Sequence, residues 1–213
     1  MGIIKRGILG GFSNKVANVV GSSWKGRAVI KSLPLSVANP RTTPQVNQRN
    51  KFGSASYLYS TILGTWVKPL WDRFSGNISG YNAIVKQNVE TFDNSGAGIG
   101  QNMLMAKGKM ESTTTTSVVA DASLGTVVVN GTVPNDVTWG QAGEELYVMA
   151  FNNTTQSFSE VNLSNVDPGD SFSVTLNVEN YSAGNTGCSF CALRRADGTQ
   201  VSYSESFNFT VIA

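Results

Sequence analysis

In the second half of the chain, apolar residues recur at every second position. Leu146, Val148 and Ala150 show this spacing, as do Phe172, Val174, Leu176 and Val178. A period of two places these side chains on one face of a strand. Runs rich in β-branched and aromatic residues predict strands over 125–131, 136–139, 145–152, 171–179, 187–194 and 206–212. Turn-forming clusters separate them: Val133-Pro134-Asn135, Asn152-Asn153-Thr154, Asp167-Pro168-Gly169-Asp170 and Ala196-Asp197-Gly198. Short strands at this interval suit an immunoglobulin-like or fibronectin-type sandwich over 118–213, with Trp139 as its large buried aromatic. The inter-sheet disulfide pattern of antibody domains is absent, so the expectation concerns architecture alone.

Between residues 40 and 93 the period changes. Phe52, Ala55, Leu58, Tyr59, Ile62 and Leu63 fall three or four apart, which makes one apolar helix face. Thr42 or Thr43 can cap that helix, Pro44 fits its first position and Gly64 can end it. A second, shorter helix is expected over 66–74, and a third from Ser79, as N-cap, to about Phe92. Residues 1–39 are Gly-rich and β-branched, with runs at 15–20 and 27–33, and read as two or three short strands or an extended arm. Residues 94–117 open on Asn94-Ser95-Gly96-Ala97-Gly98-Ile99-Gly100 and read as a linker, with a possible strand over 103–110 and a polar connector over 111–117. The expected class is therefore α+β: N-terminal strands, a short central helical segment and a C-terminal all-β sandwich.

Charge changes this picture more than composition does. The net charge is only +2, but the ten cations Lys5, Arg6, Lys15, Lys25, Arg27, Lys31, Arg41, Arg49, Lys51 and Lys68 all precede the first acid, Asp72. Residues 1–71 thus carry +10, and the 14 acids and six bases that follow leave residues 72–213 at −8. A one-signed half repels itself and calls for an acidic neighbour. Nucleic acid, an anionic membrane and the protein's own acidic C-terminal half, within a chain or from the next copy, are the three kinds. The cations form no tight run, no recognisable reader motif and no amphipathic helix, which favours self-complementarity. Candidate interaction residues are Lys5, Arg6, Lys15, Lys25, Arg27, Lys31, Arg41 and Arg49, with Trp24, Trp66 and Trp71 as aromatic anchors. The set Trp66, Trp71, Phe74, Tyr81 and Phe92 could also stack bases, but at helical spacing such residues serve more often as core or interface anchors.

Chemistry is scarce. The chain holds no His, so the commonest general base, neutral metal ligand and partner of a nucleophile is missing. Cys188 and Cys191 stand three apart on an expected strand, on opposite faces, which suits structural thiols better than a disulfide or half a zinc site. Gly10-Gly11-Phe12-Ser13-Asn14-Lys15 lacks the ending of a phosphate loop, and Asp136, Asp167 and Asp170 match no calcium loop. No catalytic, cofactor or metal site is expected. Gly7, Gly10, Gly11 and Ser13 interrupt the apolar stretch after Lys5-Arg6, so neither a signal peptide nor a membrane span is expected.

Several segments carry a family resemblance. They are the Gly7–Gly26 run with Lys31-Ser32-Leu33-Pro34, and Asn39-Pro40-Arg41-Thr42-Thr43-Pro44-Gln45 with Arg49 and Phe52. Ser79-Gly80-Tyr81-Asn82 and Asp136-Val137-Thr138-Trp139 add to it. Together they resemble an uncharacterised family of bacterial and phage-associated proteins with Gly-rich N-terminal strands and a β-rich C-terminal domain. The resemblance implies no activity and no catalytic residue. Segments similar to 39–49 occur in phage structural genes, which implies a virion component: a tail, connector or capsid-accessory subunit. The expected function is thus non-enzymatic self-assembly, with homo-oligomeric and other structural partners. Nucleic-acid binding through residues 1–71, or an adhesive, carbohydrate-binding sandwich, are the alternatives.

Overall fold

The computed structural model describes residues 2–3, 13–24, 27–36, 38–135, 142–178 and 181–213. The expected strand over 136–139 and its Trp139, like Lys5, Arg6, Lys25 and the glycines at 7, 10 and 11, lie outside the described residues. The chain forms two compact units, 1–42 and 43–213.

The smaller unit is a four-stranded antiparallel sheet in the order β1-β4-β3-β2, formed by β1 (Gly2–Ile3), β2 (Asn14–Val16), β3 (Val19–Trp24) and β4 (Arg27–Ser32). The apolar run 15–20 is not one strand. Val16 pairs with Val19 across the two-residue turn Ala17-Asn18, and Ala17 adopts a left-handed φ of 49°. The chain therefore reverses inside a stretch whose side chains alone read as continuous.

The larger unit is mostly sheet, with a few short helices. Helix α1 (Thr43–Thr61) buries Ala55, Leu58 and Tyr59, with Ile62 just beyond its end. Phe52, expected on that face, is 56% exposed. Gly64 does not end the helical path. It sits inside a π turn, Leu63–Val67, that leads directly into α2 (Lys68–Trp71). Helix α3 (Gly80–Asn88) starts where the sequence marks it: the Ser79 side chain accepts the Asn82 N–H. Asp72 adds a carboxylate at the same terminus, its Oδ1 accepting the Gly80 N–H at 2.9 Å. A Cβ at Gly80 would stand 2.5 Å from that oxygen, so only glycine permits the approach.

Seven strands follow: β5 (Thr114–Asp121), β6 (Thr126–Thr132), β7 (Glu144–Asn152), β8 (Ser157–Val166), β9 (Ser171–Asn177), β10 (Thr186–Arg194) and β11 (Glu205–Ile212). Their order is β8-β7-β10-β11-β5-β6-β9, antiparallel except where the end of β11 pairs parallel with β5 at Val211–Ala120 and Ile212–Asp121. Two strands escape the apolar pattern. β5 begins inside the Thr-rich connector, where Thr114 and Thr115 pair with Thr132 and Gly131 through the backbone. β8 is an edge strand, half-buried to exposed along most of its length, so its polar residues need not alternate.

Two cores share the central strands. Leu146, Val148, Ala150, Cys191 and Leu193 pack with Val127, Val129, Val174 and Leu176. The alternate residues of the same strands, Tyr147, Met149, Phe151, Cys188, Phe190 and Ala192, pack with Leu58, Tyr59, Trp66, Leu70 and Ile84 of the helical segment. Residues 94–117 are no loose linker, since Met103, Met105 and Ala106 belong to this second core. Nor is 103–110 a regular strand; side chains hold it. Asn88 Nδ2 donates to the Leu104 carbonyl (2.9 Å) while its Oδ1 accepts the Leu104 N–H (2.8 Å), and the Ser204 hydroxyl accepts the Met105 N–H (2.9 Å). The Met105 carbonyl accepts both indole N–H groups, Trp66 at 2.9 Å and Trp71 at 2.7 Å.

Truncating Phe190 to Ala should cost about 3–5 kcal/mol, read as a lower urea midpoint. The two indoles share one acceptor, so Trp66→Phe and Trp71→Phe should couple. Either variant leaves the Met105 carbonyl paired, whereas the double variant orphans it and should cost about 1 kcal/mol more than the sum of the singles in a double-mutant cycle. Strict additivity would refute this sharing.

Candidate interaction face

Strand register sorts the N-terminal cations. Lys15 pairs with Val20, and Val20 with Lys31, so Lys15 and Lys31 lie in one row across β2, β3 and β4. Directly paired residues share a face, and on β4 Arg27, Val29 and Lys31 follow at period two. Lys15, Arg27 and Lys31 therefore occupy the same face, with Lys15 and Lys31 about 10 Å apart and Arg27 about 13 Å along from Lys31. All three are exposed. The opposite face carries Val16, Val19, Ala28 and Ile30.

No acid occurs in residues 1–42, which hold seven cations, while 14 acids and nine bases leave residues 43–213 at −5. The charge split thus follows the division into units closely. Arg41 is exposed just before α1, and Arg49 is exposed on it. Trp24 contributes its backbone to the sheet, paired with Arg27. Trp66 and Trp71 are not surface anchors: they are 0% and 4% exposed in the helix-side core, where their N–H groups are satisfied by Met105. Helical spacing could not distinguish an inward aromatic from an interface aromatic, because both need the same apolar stripe.

The thiols are also interior. Cys188 faces the helix-side core and Cys191 the core built with Val127, Val129, Val174 and Leu176, on opposite faces of β10. Burial pushes both thiols up to about 12. Among the described residues, no group of three His, Cys, Asp or Glu side chains could hold a metal ion. No helix among them is long and apolar enough to cross a membrane.

A second surface feature lies on α1. Gly53, Ser54, Tyr57 and Leu58 line a cleft of about 370 Å³ with Phe92, Gly96, Thr155 and Gln156. Gln45, Gln48, Arg49 and Phe52, all on α1, line a second that is shallow and open, and Gly53 borders both. The loop wall is fixed by Gln156, whose Oε1 accepts the Gly98 N–H (2.6 Å) and whose Nε2 donates to the Gly98 carbonyl (3.1 Å). Asp93 shapes the same loop by accepting bonds from the Ser95 hydroxyl and from the Ala97 and Ser95 N–H groups, and these, the hydroxyl foremost, hold its carboxyl below the usual range. Helical periodicity missed this surface because it registers inward positions, and Tyr57 points outward. A glycine in mid-helix was the available signal.

A family model described as a family of unknown function, DUF6266, matches residues 11–207. The chain belongs to that family. No curated protein sequence matches it. Among solved structures, the selenomethionine-substituted chicken interferon gamma receptor alpha chain is similar at a TM-score of 0.36 and 14% identity, over 51% of this chain and 53% of that one. A Parabacteroides merdae beta-glucuronidase gives 0.32 and 7%, over 50% of this chain and 14% of the enzyme. The chain thus spans about half of the receptor and a small part of the enzyme. Membership in DUF6266 carries no activity with it, so a functional reading rests on this chain's own surfaces.

Buried thiols of raised pKa should not react with an aromatic disulfide reagent at pH 8 in the native protein, and both should react in denaturant. The sign with pH follows. Their neutral form is favoured by the fold, so this contribution is complete below the ordinary thiol value of 9.0 and is lost as pH rises toward about 12. Alkaline unfolding monitored by tryptophan fluorescence checks it.

Proposed function

We propose that this chain is a non-enzymatic structural subunit that self-associates, its basic N-terminal sheet meeting the acidic larger unit of a neighbouring copy. The observation that carries this reading is the one-signed face of Lys15, Arg27 and Lys31 in an acid-free unit, alongside a larger unit of net −5. Complementary potentials steer partners together and fix their register. The larger unit suits such a role as a compact unit with two buried cores. Its β5-β6-β9 layer facing β8-β7-β10-β11 is read here as an immunoglobulin-like, fibronectin-type sandwich. The likeness of residues 39–49 to segments of phage structural genes supports a phage virion as the particle, with the chain in a tail, connector or capsid-accessory position.

Light scattering across ionic strength tests the reading. At about 50 mM salt the protein should exceed monomer mass, and at about 500 mM, where the Debye length falls to a few ångströms, it should dissociate. The triple variant Lys15→Glu, Arg27→Glu, Lys31→Glu should be monomeric at both. A wild-type monomer at low salt and high concentration would refute self-association. So would a low-salt shift of duplex DNA by a protein that remains monomeric alone, which would make nucleic acid the partner.

A further inference from the structure

The paired clefts around Gly53 are built differently from the basic sheet. Tyr57 stands 75% exposed on α1 and Phe52 56% exposed, one in each cleft. A single exposed aromatic is ordinary on a protein surface; it becomes a candidate binding surface when a second stands nearby on the same helix and the space beside it is also kept open. Here it is: Gly53 lies one turn before Tyr57, and a Cβ placed on it would meet nothing within 4 Å. Packing does not require glycine there, and glycine weakens a helix interior relative to alanine. What its lack of a side chain secures is open space one turn before Tyr57.

The remaining lining is polar and nearly neutral. Ser54, Thr155 and Gln156 flank the Tyr57 cleft, and Gln45 and Gln48 flank the other, with Arg49 the only charged residue in either lining. Leu58 and Phe92 supply an apolar floor. An aromatic ring beside open space, with amides and hydroxyls around it, matches a ligand that has apolar C–H faces and a rim of neutral hydroxyls. Two such clefts meeting at one residue match a ligand with more than one ring. We propose that the α1 surface centred on Gly53 binds a neutral oligosaccharide, one ring stacked on Tyr57 and a neighbouring ring lying toward Phe52. Cationic glycans are disfavoured, because the one charged group in either lining is the Arg49 guanidinium, and the amides and hydroxyls around the ring suit a sugar's neutral hydroxyls. A proline-rich peptide also seeks exposed aromatics, but it offers few hydroxyls to the amides and hydroxyls gathered here.

Saturation-transfer NMR of the full chain with maltohexaose, cellohexaose, chitohexaose and xylohexaose, each alone, tests the proposal. At least one should show transfer, with Tyr57→Ala weakening it by about tenfold or more, a loss of the size expected when a stacked ring is removed. Gly53→Leu should abolish binding by filling the shared space without lowering the melting temperature, since leucine is the better helix former. That pairing separates a blocked site from a damaged fold. The proposal is overturned by silence from all four sugars, by binding that survives both variants, or by binding of a proline-rich decapeptide in their absence.

Discussion

Strands β7 and β10 carry apolar side chains on both faces, and neither face can be left to water without forfeiting the burial that holds the larger unit together. Each fully buried aliphatic or aromatic side chain contributes about 1.5–3 kcal/mol. One face is covered by β5, β6 and β9, and the other by α1, α2, α3 and the Met103–Ala106 segment. The helices are therefore a required layer of this unit, not an appendage to its strands. This also explains the hydrogen bonds around residue 105. An irregular segment crossing a buried sheet face must have its backbone groups satisfied locally, and Asn88, Ser204, Trp66 and Trp71 satisfy them from three directions.

What the sequence makes legible follows from which elements have one wet face. β6 and β9 alternate cleanly because each has one face in the core and one outside, and their runs are visible at Val127–Val129 and Phe172–Leu176. The Ser79 cap is equally visible, because it is a local matter of one hydroxyl and one N–H. β7 announces a strand but conceals its second partner: alternation at 146, 148 and 150 hides that 147, 149 and 151 are buried too. The edge strand β8 and the Thr-rich β5 leave weak marks, since backbone pairing asks little of their side chains. Trp66 and Trp71 were misplaced for a related reason. Apolar spacing reports that a helix has a face to bury, not whether its own sheet or another molecule buries it.

The cationic sheet was half legible. The absence of any acid before Asp72 is plain in the sequence, but the gathering of Lys15, Arg27 and Lys31 onto one face depends on register. Their sequence separations mean little until the turn at Ala17-Asn18 folds β2 onto β3. A one-residue shift of β2 on β3 would send Lys15 to the opposite face, and one of β4 on β3 would send Arg27 and Lys31 there together, so either breaks up the patch. The left-handed Ala17 and the Val16–Val19 pairing are thus what convert a scattered composition into a surface.

The two surfaces rest on different physics, and their behaviour in solution is separable on that basis. Attraction between the basic sheet and an acidic neighbour acts over distances comparable to the Debye length, so added salt weakens it in proportion to the charges it neutralises. Stacking on Tyr57 beside Gly53 is a contact interaction between uncharged groups, and screening leaves it almost untouched. An assembly held by the first and decorated by the second would come apart as ionic strength rises while each released subunit kept its neutral ligand. That independence follows from the kind of force each surface uses: Lys15, Arg27 and Lys31 act through charge at a distance, and Tyr57 through contact alone.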